Sequence, residues 1–122
     1  MTRAPAHAAL PFAALLLAAT ALPAAARDAQ CRIEQNGRVA LERICDFQPD
    51  GRDGSFGLSP RGGGQGALFG PILSVSVSII EPGVAEVRGL TRDGINSRWG
   101  TARRSTTDRA CWDGADFRIC VR

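Results

Sequence analysis

The residues of this chain best suited to chemistry are arginines and tryptophans near its C-terminus: Arg98, Trp99, Arg103, Arg104, Arg109 and Trp112. A guanidinium holds carboxylate or phosphate through paired N–H donors, and an indole offers a flat face to sugars, bases or cations. Charge is concentrated in the same region. Residues 88–122 carry eight arginines against four acids, whereas residues 27–87 carry six against eight. These six residues are the candidate binding set, with a protein or an anionic component of the cell envelope as the partner they suit. Tryptophan in a small domain is also a core anchor, so Trp99 and Trp112 are candidates for the interior as well.

Other chemistry is closed off by what the chain lacks. All fifteen basic residues are arginine, there is no tyrosine, and the one histidine is His7. A general base near neutral pH, Schiff-base lysine chemistry and tyrosine acid catalysis are therefore missing beyond residue 7. The four cysteines, Cys31, Cys45, Cys111 and Cys120, have neither CxxC spacing nor a histidine beside them, which argues against a metal site. Carboxylate pairs such as Glu81 with Glu86, or Asp113 with Asp116, are what a small hydrolase would have to use. A chain this short has little room for both a core and a substrate cleft, so no enzyme is expected. Asp46, Asp50 and Asp53 do not match calcium-loop spacing, and the glycines at 62–64 and 66 lack the Lys-Ser/Thr of a phosphate loop. No cofactor and no metal are expected.

Residues 1–26 read as an export signal. Arg3 supplies a basic start, Leu10 to Leu22 an apolar run, and Ala24-Ala25-Ala26 a small-residue cleavage site, which places the mature start at Arg27. The mature chain holds no stretch apolar enough to span a bilayer as a helix, and its small net charge, with export, argues against nucleic acid. The expected location is periplasmic or secreted; oligomeric state is left open.

In an oxidising compartment four cysteines imply two bridges. Three pairings are possible. The favoured one, Cys31–Cys45 with Cys111–Cys120, closes loops of about 15 and 10 residues, each contributing roughly 2.5–3 kcal/mol in the chain-entropy model. Tying the two ends of the chain together is the main alternative.

The elements that must position these groups are strands. Asn36-Gly37 between two apolar-alternating runs predicts a two-residue hairpin, with Gln35 facing Arg38 and Cys31 facing Glu42. In that register Cys31 and Cys45 do not meet, so their bridge requires a bulge. From Leu73 to Ile80, Leu73, Val75, Val77 and Ile79 alternate with serines, the pattern of a strand with one wet face. After Pro82-Gly83, a three-residue loop or bulge is expected to set Ile79 beside Val87 and Ser78 beside Arg88. Asp93-Gly94 marks another turn, and Cys111 to Cys120 a closing hairpin. Residues 27–122 thus form one all-β domain of about seven short strands: an antiparallel sheet, sandwich or barrel stapled by two disulfides. A flexible glycine-rich loop is expected at about 61–70.

Two local patterns carry a resemblance. Ile44-Cys45-Asp46-Phe47 with Asp53-Gly54-Ser55-Phe56 is similar to a C-x-F…DGSF signature. Ala110-Cys111-Trp112 with Ile119-Cys120-Val121 is similar to an ACW…IC ending. Both resemble small exported bacterial proteins of uncharacterised function and cover about a third of the chain. The resemblance implies an exported, disulfide-bonded β domain and no particular activity.

The function expected from the sequence is an exported interaction module of the envelope, working through the Arg/Trp-rich C-terminal half. An inhibitor of an envelope-targeting hydrolase would belong to this class. A structural envelope component without a specific ligand, or a small carboxylate-dependent hydrolase, are the alternatives.

Overall fold

A computed structural model describes residues 26–63 and 65–122. The export signal expected over 1–26 lies, except for Ala26, outside the described residues. Eight antiparallel strands follow one another: β1 (Arg27–Gln35), β2 (Arg38–Pro49), β3 (Phe56–Pro60), β4 (Ile72–Glu81), β5 (Val84–Thr91), β6 (Asn96–Arg104), β7 (Cys111–Gly114) and β8 (Phe117–Val121). Each pairs with its neighbour in sequence, and β8 pairs with β1, so the sheet closes into a barrel. The count is one more than the expected seven, and the closing hairpin from Cys111 to Cys120 is present as β7 and β8. Closure removes the exposed edges that an open sheet of this length would have to protect.

Eight strands enclose an interior that side chains can fill. Here all eight contribute, with Ile33, Leu58, Val75, Val77, Val87 and Ile119 almost completely buried among them. Each such side chain stabilises the fold by about 1.5–3 kcal/mol relative to its exposed state. The outer face carries charge instead. Arg32 bridges to Glu34 and Glu42 at 3.3 and 3.0 Å, and Glu86 accepts from both Arg88 and Arg98. An apolar inside and a charged outside is the reverse of the lipid-facing band of a membrane barrel. Among the described residues, no helix is long and apolar enough to cross a membrane.

The first hairpin turns at Asn36-Gly37 as expected, both residues having positive φ (52° and 77°), the requirement of a two-residue turn matched to strand twist. Gln35 faces Arg38. The predicted register then breaks at a bulge: Glu34 still pairs with Val39, but Ile33 pairs with Leu41, leaving Ala40 as the extra residue. Cys31 therefore faces Arg43 rather than Glu42, and Ala29 faces Cys45. The shift puts both cysteines on the inward face at diagonal positions, with Cα atoms 5.8 Å apart, and they are bridged. Cys111 and Cys120 stand directly opposite in the closing hairpin and form the second bridge. Both disulfides connect sequence neighbours.

The pairing of β4 with β5 differs from expectation. Val77 faces Val87 and Ile79 faces Ala85, in place of Ile79 beside Val87. The turn at Pro82-Gly83 is tight, with Glu81 paired to Val84, and the extra residue is Ile80, which is left exposed. The need to keep one face buried was read correctly. It is met by a bulge before a two-residue turn, which moves the register two places from the predicted one.

The connection from β3 to β4 is more anchored than a free loop. Arg61–Gly63 forms a single 3-10 turn, and Leu68 is buried in the core. Nη2 of Arg43 donates to the carbonyls of Ala67 and Leu68 at 3.2 and 3.0 Å.

Candidate functional site

The six sequence-predicted residues do not form one surface, because β6 runs the length of the barrel. Arg98 and Arg104 lie six residues apart on it, about 20 Å at strand rise. Arg98 and Trp99 belong to the end that holds the Asn36-Gly37 turn. Arg104 and Trp112, with Arg103 and Arg109 beside them, belong to the opposite end.

At the first end the pieces are already committed. Nε of Arg98 is 2.8 Å from Oε1 of Glu86 on the outer face. Trp99 sits where β6 bulges against β5, since Arg88 faces Arg98 and Val87 faces Gly100. Its ring meets Phe69 and Phe117 edge-on, with centroids 6.1 and 5.6 Å away. Gly89 makes this possible: a Cβ there would lie 2.8 Å from the indole nitrogen. Trp99 is half-buried and acts as the plug of this end.

The opposite end is built differently. Arg104 faces Trp112 across the β6–β7 pair, and its guanidinium carbon is 5.3 Å from the indole centroid. Trp112 is 3% exposed and packs into the core. Nε of Arg104 donates to the carbonyl of Arg109 at 2.9 Å. A second stack, which sequence reasoning missed, stands beside it: Arg27 lies over Phe47 at 4.5 Å, and Phe47 is stacked on Phe56 at 5.0 Å. The signal for it was present. Arg27 is in phase with Ala29, Cys31 and Ile33, all inward-facing, and Phe47 is in phase with Cys45. These are the positions where an inward-facing row reaches water, and there an arginine can bury its stem along the rings while its head stays solvated.

Between the two stacks is a cleft of about 290 Å³ lined by Arg27, Phe47, Phe56, Arg104, Trp112 and Val121, with Gly54 and Ala110 at its rim. No carboxylate lines it. Several arginines elsewhere are paired with acids, Arg61 with Asp28 and Arg118 with Asp113 at 3.0 Å and Arg122 with Asp108, while others such as Arg38, Arg52 and Arg92 have no carboxylate partner among the described residues. Among the described residues, neither Arg27 nor Arg104 has a carboxylate partner. Besides contacts to the Arg109 and Asp28 carbonyls, their charge meets the π-faces beneath them, an attraction of about 0.5–1 kcal/mol at exposed sites.

The turn from Ser105 to Ala110 holds this edge of the cleft. Oγ of the buried Ser105 accepts from the backbone N–H of Thr107 and Asp108 at 3.2 and 3.1 Å. Oδ1 of Asp108 accepts from the N–H of Ala110 at 3.1 Å, and both its oxygens accept from Arg122. The Arg122 guanidinium, then the Ala110 N–H, hold the Asp108 carboxyl below its ordinary value of 3.8. A carboxyl lowered by folding adds stability that is complete above the ordinary value and is lost as pH falls through the lower, folded one. Urea midpoints taken between pH 5 and pH 2 are therefore expected to drop less steeply for Asp108→Asn than for the native protein. Identical slopes would remove Asp108 as an acid-sensitive lock on this turn.

The carboxylate pairs considered from sequence are each short of a free member. Glu86 is held by Arg88 and Arg98, and Asp113 by Arg118. Oδ1 of Asp53 accepts from the Ser55 N–H at 2.9 Å, which lowers its carboxyl and closes the turn before β3. Among the described residues, no three His, Cys, Asp or Glu side chains converge as a metal site. Compared with known proteins, the chain matches no family model, no curated sequence and no solved structure.

Proposed function

We propose that this chain is an exported binding module of the cell envelope, contacting a protein or an anionic envelope component through the arginine and tryptophan groups of its C-terminal half. The observation that carries this reading is Arg104, a guanidinium stacked on the buried Trp112, in a cleft without acids. A filled barrel interior moves any binding to the surface and the barrel ends. Two disulfides suit the oxidising compartment that export would reach. Arg98 has its charge paired with Glu86, whereas Arg104 has no carboxylate partner among the described residues. The working groups are those at the Arg104 end, joined by Arg103 and Arg109, both exposed.

The test is retention of the purified protein on immobilised envelope extract. Arg103→Gln with Arg104→Gln is expected to lower retention about tenfold, the loss of roughly one charged contact of 1.4 kcal/mol. Arg92→Gln removes an exposed charge near the far end of the barrel and is expected to leave retention unchanged. Both variants should melt close to the native protein, since exposed charges contribute about 0–1 kcal/mol. Equal retention of all three proteins would overturn the proposal.

A further inference from the structure

The geometry points to a specific ligand chemistry for the Arg27–Arg104 cleft: we infer that it receives a carboxylate next to an apolar or aromatic side chain, about one residue in size. This rests on the binding-module reading and narrows it. The Arg27 and Arg104 guanidinium carbons lie 4.5 and 5.3 Å from the ring centroids beneath them, and the N–H edge of a guanidinium matches the two oxygens of a carboxylate. With Nε of Arg104 given to the Arg109 carbonyl, its terminal nitrogens are the donors left for a ligand. Arg27 supplies a second planar group from the facing wall, with only a long 3.5 Å contact to the Asp28 carbonyl.

The rest of the cleft is apolar. Phe47, Phe56, Trp112 and Val121 suit the body of the ligand. Two guanidiniums satisfy both oxygens of a carboxylate, whereas the extra oxygen of a phosphate would meet this apolar wall unpaired, at the cost of its desolvation. The volume lies just below the range of small-molecule pockets, about 300–1,000 Å³, which fits a single side chain with its acid and not an extended chain. Two sources share this chemistry: the C-terminal residue of a partner chain and a free aromatic acid.

The probes are N-acetyl-L-phenylalanine, its amide, phenyl phosphate, and a hexapeptide ending in phenylalanine with a free or amidated terminus. Binding is read by calorimetry on the native protein. It is also read by tryptophan emission in Trp99→Phe, which leaves Trp112 as the sole indole. The acid is expected to bind at least tenfold more tightly than the amide or phenyl phosphate. Arg27→Gln and Arg104→Gln should each weaken it about tenfold or more, and Arg92→Gln should not. A free-ended peptide that binds more tightly than the single residue identifies a chain terminus as the source; equal affinity identifies a free acid. Amide binding as tightly as acid, phosphate binding better, no binding at all, or equal losses in Arg92→Gln and Arg104→Gln each overturn the inference. If envelope retention still depends on Arg103 and Arg104 while neither acid nor peptide binds, the ligand chemistry fails and the binding-module reading stands. If the acid binds in the cleft but retention ignores those arginines, that reading fails instead.

Discussion

Replacing Cys31 and Cys45 together by alanine is expected to lower the unfolding free energy by about 4 kcal/mol, in the upper part of the 2–5 kcal/mol range for small secreted domains. Two effects add. Opening a loop of about 15 residues restores roughly 3 kcal/mol of chain entropy to the unfolded state. Both sulfurs are also fully buried within the core, so their removal leaves a void among Ala29, Ile33 and Leu41. Cys111→Ala with Cys120→Ala opens a shorter loop, worth about 2.7 kcal/mol on the same model, and removes sulfurs that are buried but stand outside the main barrel cluster. The two double variants should therefore rank in that order by urea midpoint. For a domain of this size the first corresponds to a fall in Tm of roughly 15–30 °C. A larger loss at Cys111–Cys120 would show that the inward placement of Cys31 and Cys45 contributes little.

Trp112→Ala is expected to cost about 3–5 kcal/mol, the range for truncating a buried large aromatic. Trp112 packs inward on β7 opposite Ile119 and beneath Arg104, so its loss opens the core at the end where the strands stop covering it. Trp112→Phe should recover most of this, because it refills the site with apolar area. Trp99→Ala should cost less, since Trp99 is half-buried and keeps one edge in solvent. Arg104→Gln separates binding from folding: it removes the cation while leaving the ring, so it should change urea midpoints little. Equal destabilisation by Arg104→Gln and Trp112→Ala would mean the guanidinium itself closes the core, and that its apparent freedom for a ligand is illusory.

What was legible in the sequence is what local chemistry decides. Alternation of Val75 and Val77 with serines identifies a strand and its buried face, because side chains on a strand alternate whatever it pairs with. Asn36-Gly37 identifies a hairpin, because few residue pairs tolerate positive φ twice in succession. The local disulfides were favoured for closing hairpins between their own cysteines, but the Asn36-Gly37 register alone keeps Cys31 and Cys45 apart, and only the bulge brings them together.

Register and closure were not legible, and the binding cleft depends on both. A bulge is one extra residue among many similar ones, and Ala40 and Ile80 carry no mark that sets them apart from Val39 or Ile79. Yet the first brings Cys31 and Cys45 onto one face, and the second moves Val77 opposite Val87. The Arg/Trp set looked continuous because its members are close in sequence. Along a strand, closeness in sequence becomes distance, and Arg98 and Arg104 separate to opposite ends. The partner of Arg104 across the cleft is Arg27, from the other end of the chain, brought near only because β8 closes onto β1. The strands, their buried faces and the arginine-rich character of this protein follow from local backbone preference and alternation, which also favoured the local disulfides without excluding the two other pairings. Only the tertiary structure decided which arginines are spent on carboxylates and which two are left over aromatic rings, because that depends on barrel closure, a long-range pairing that no local pattern encodes.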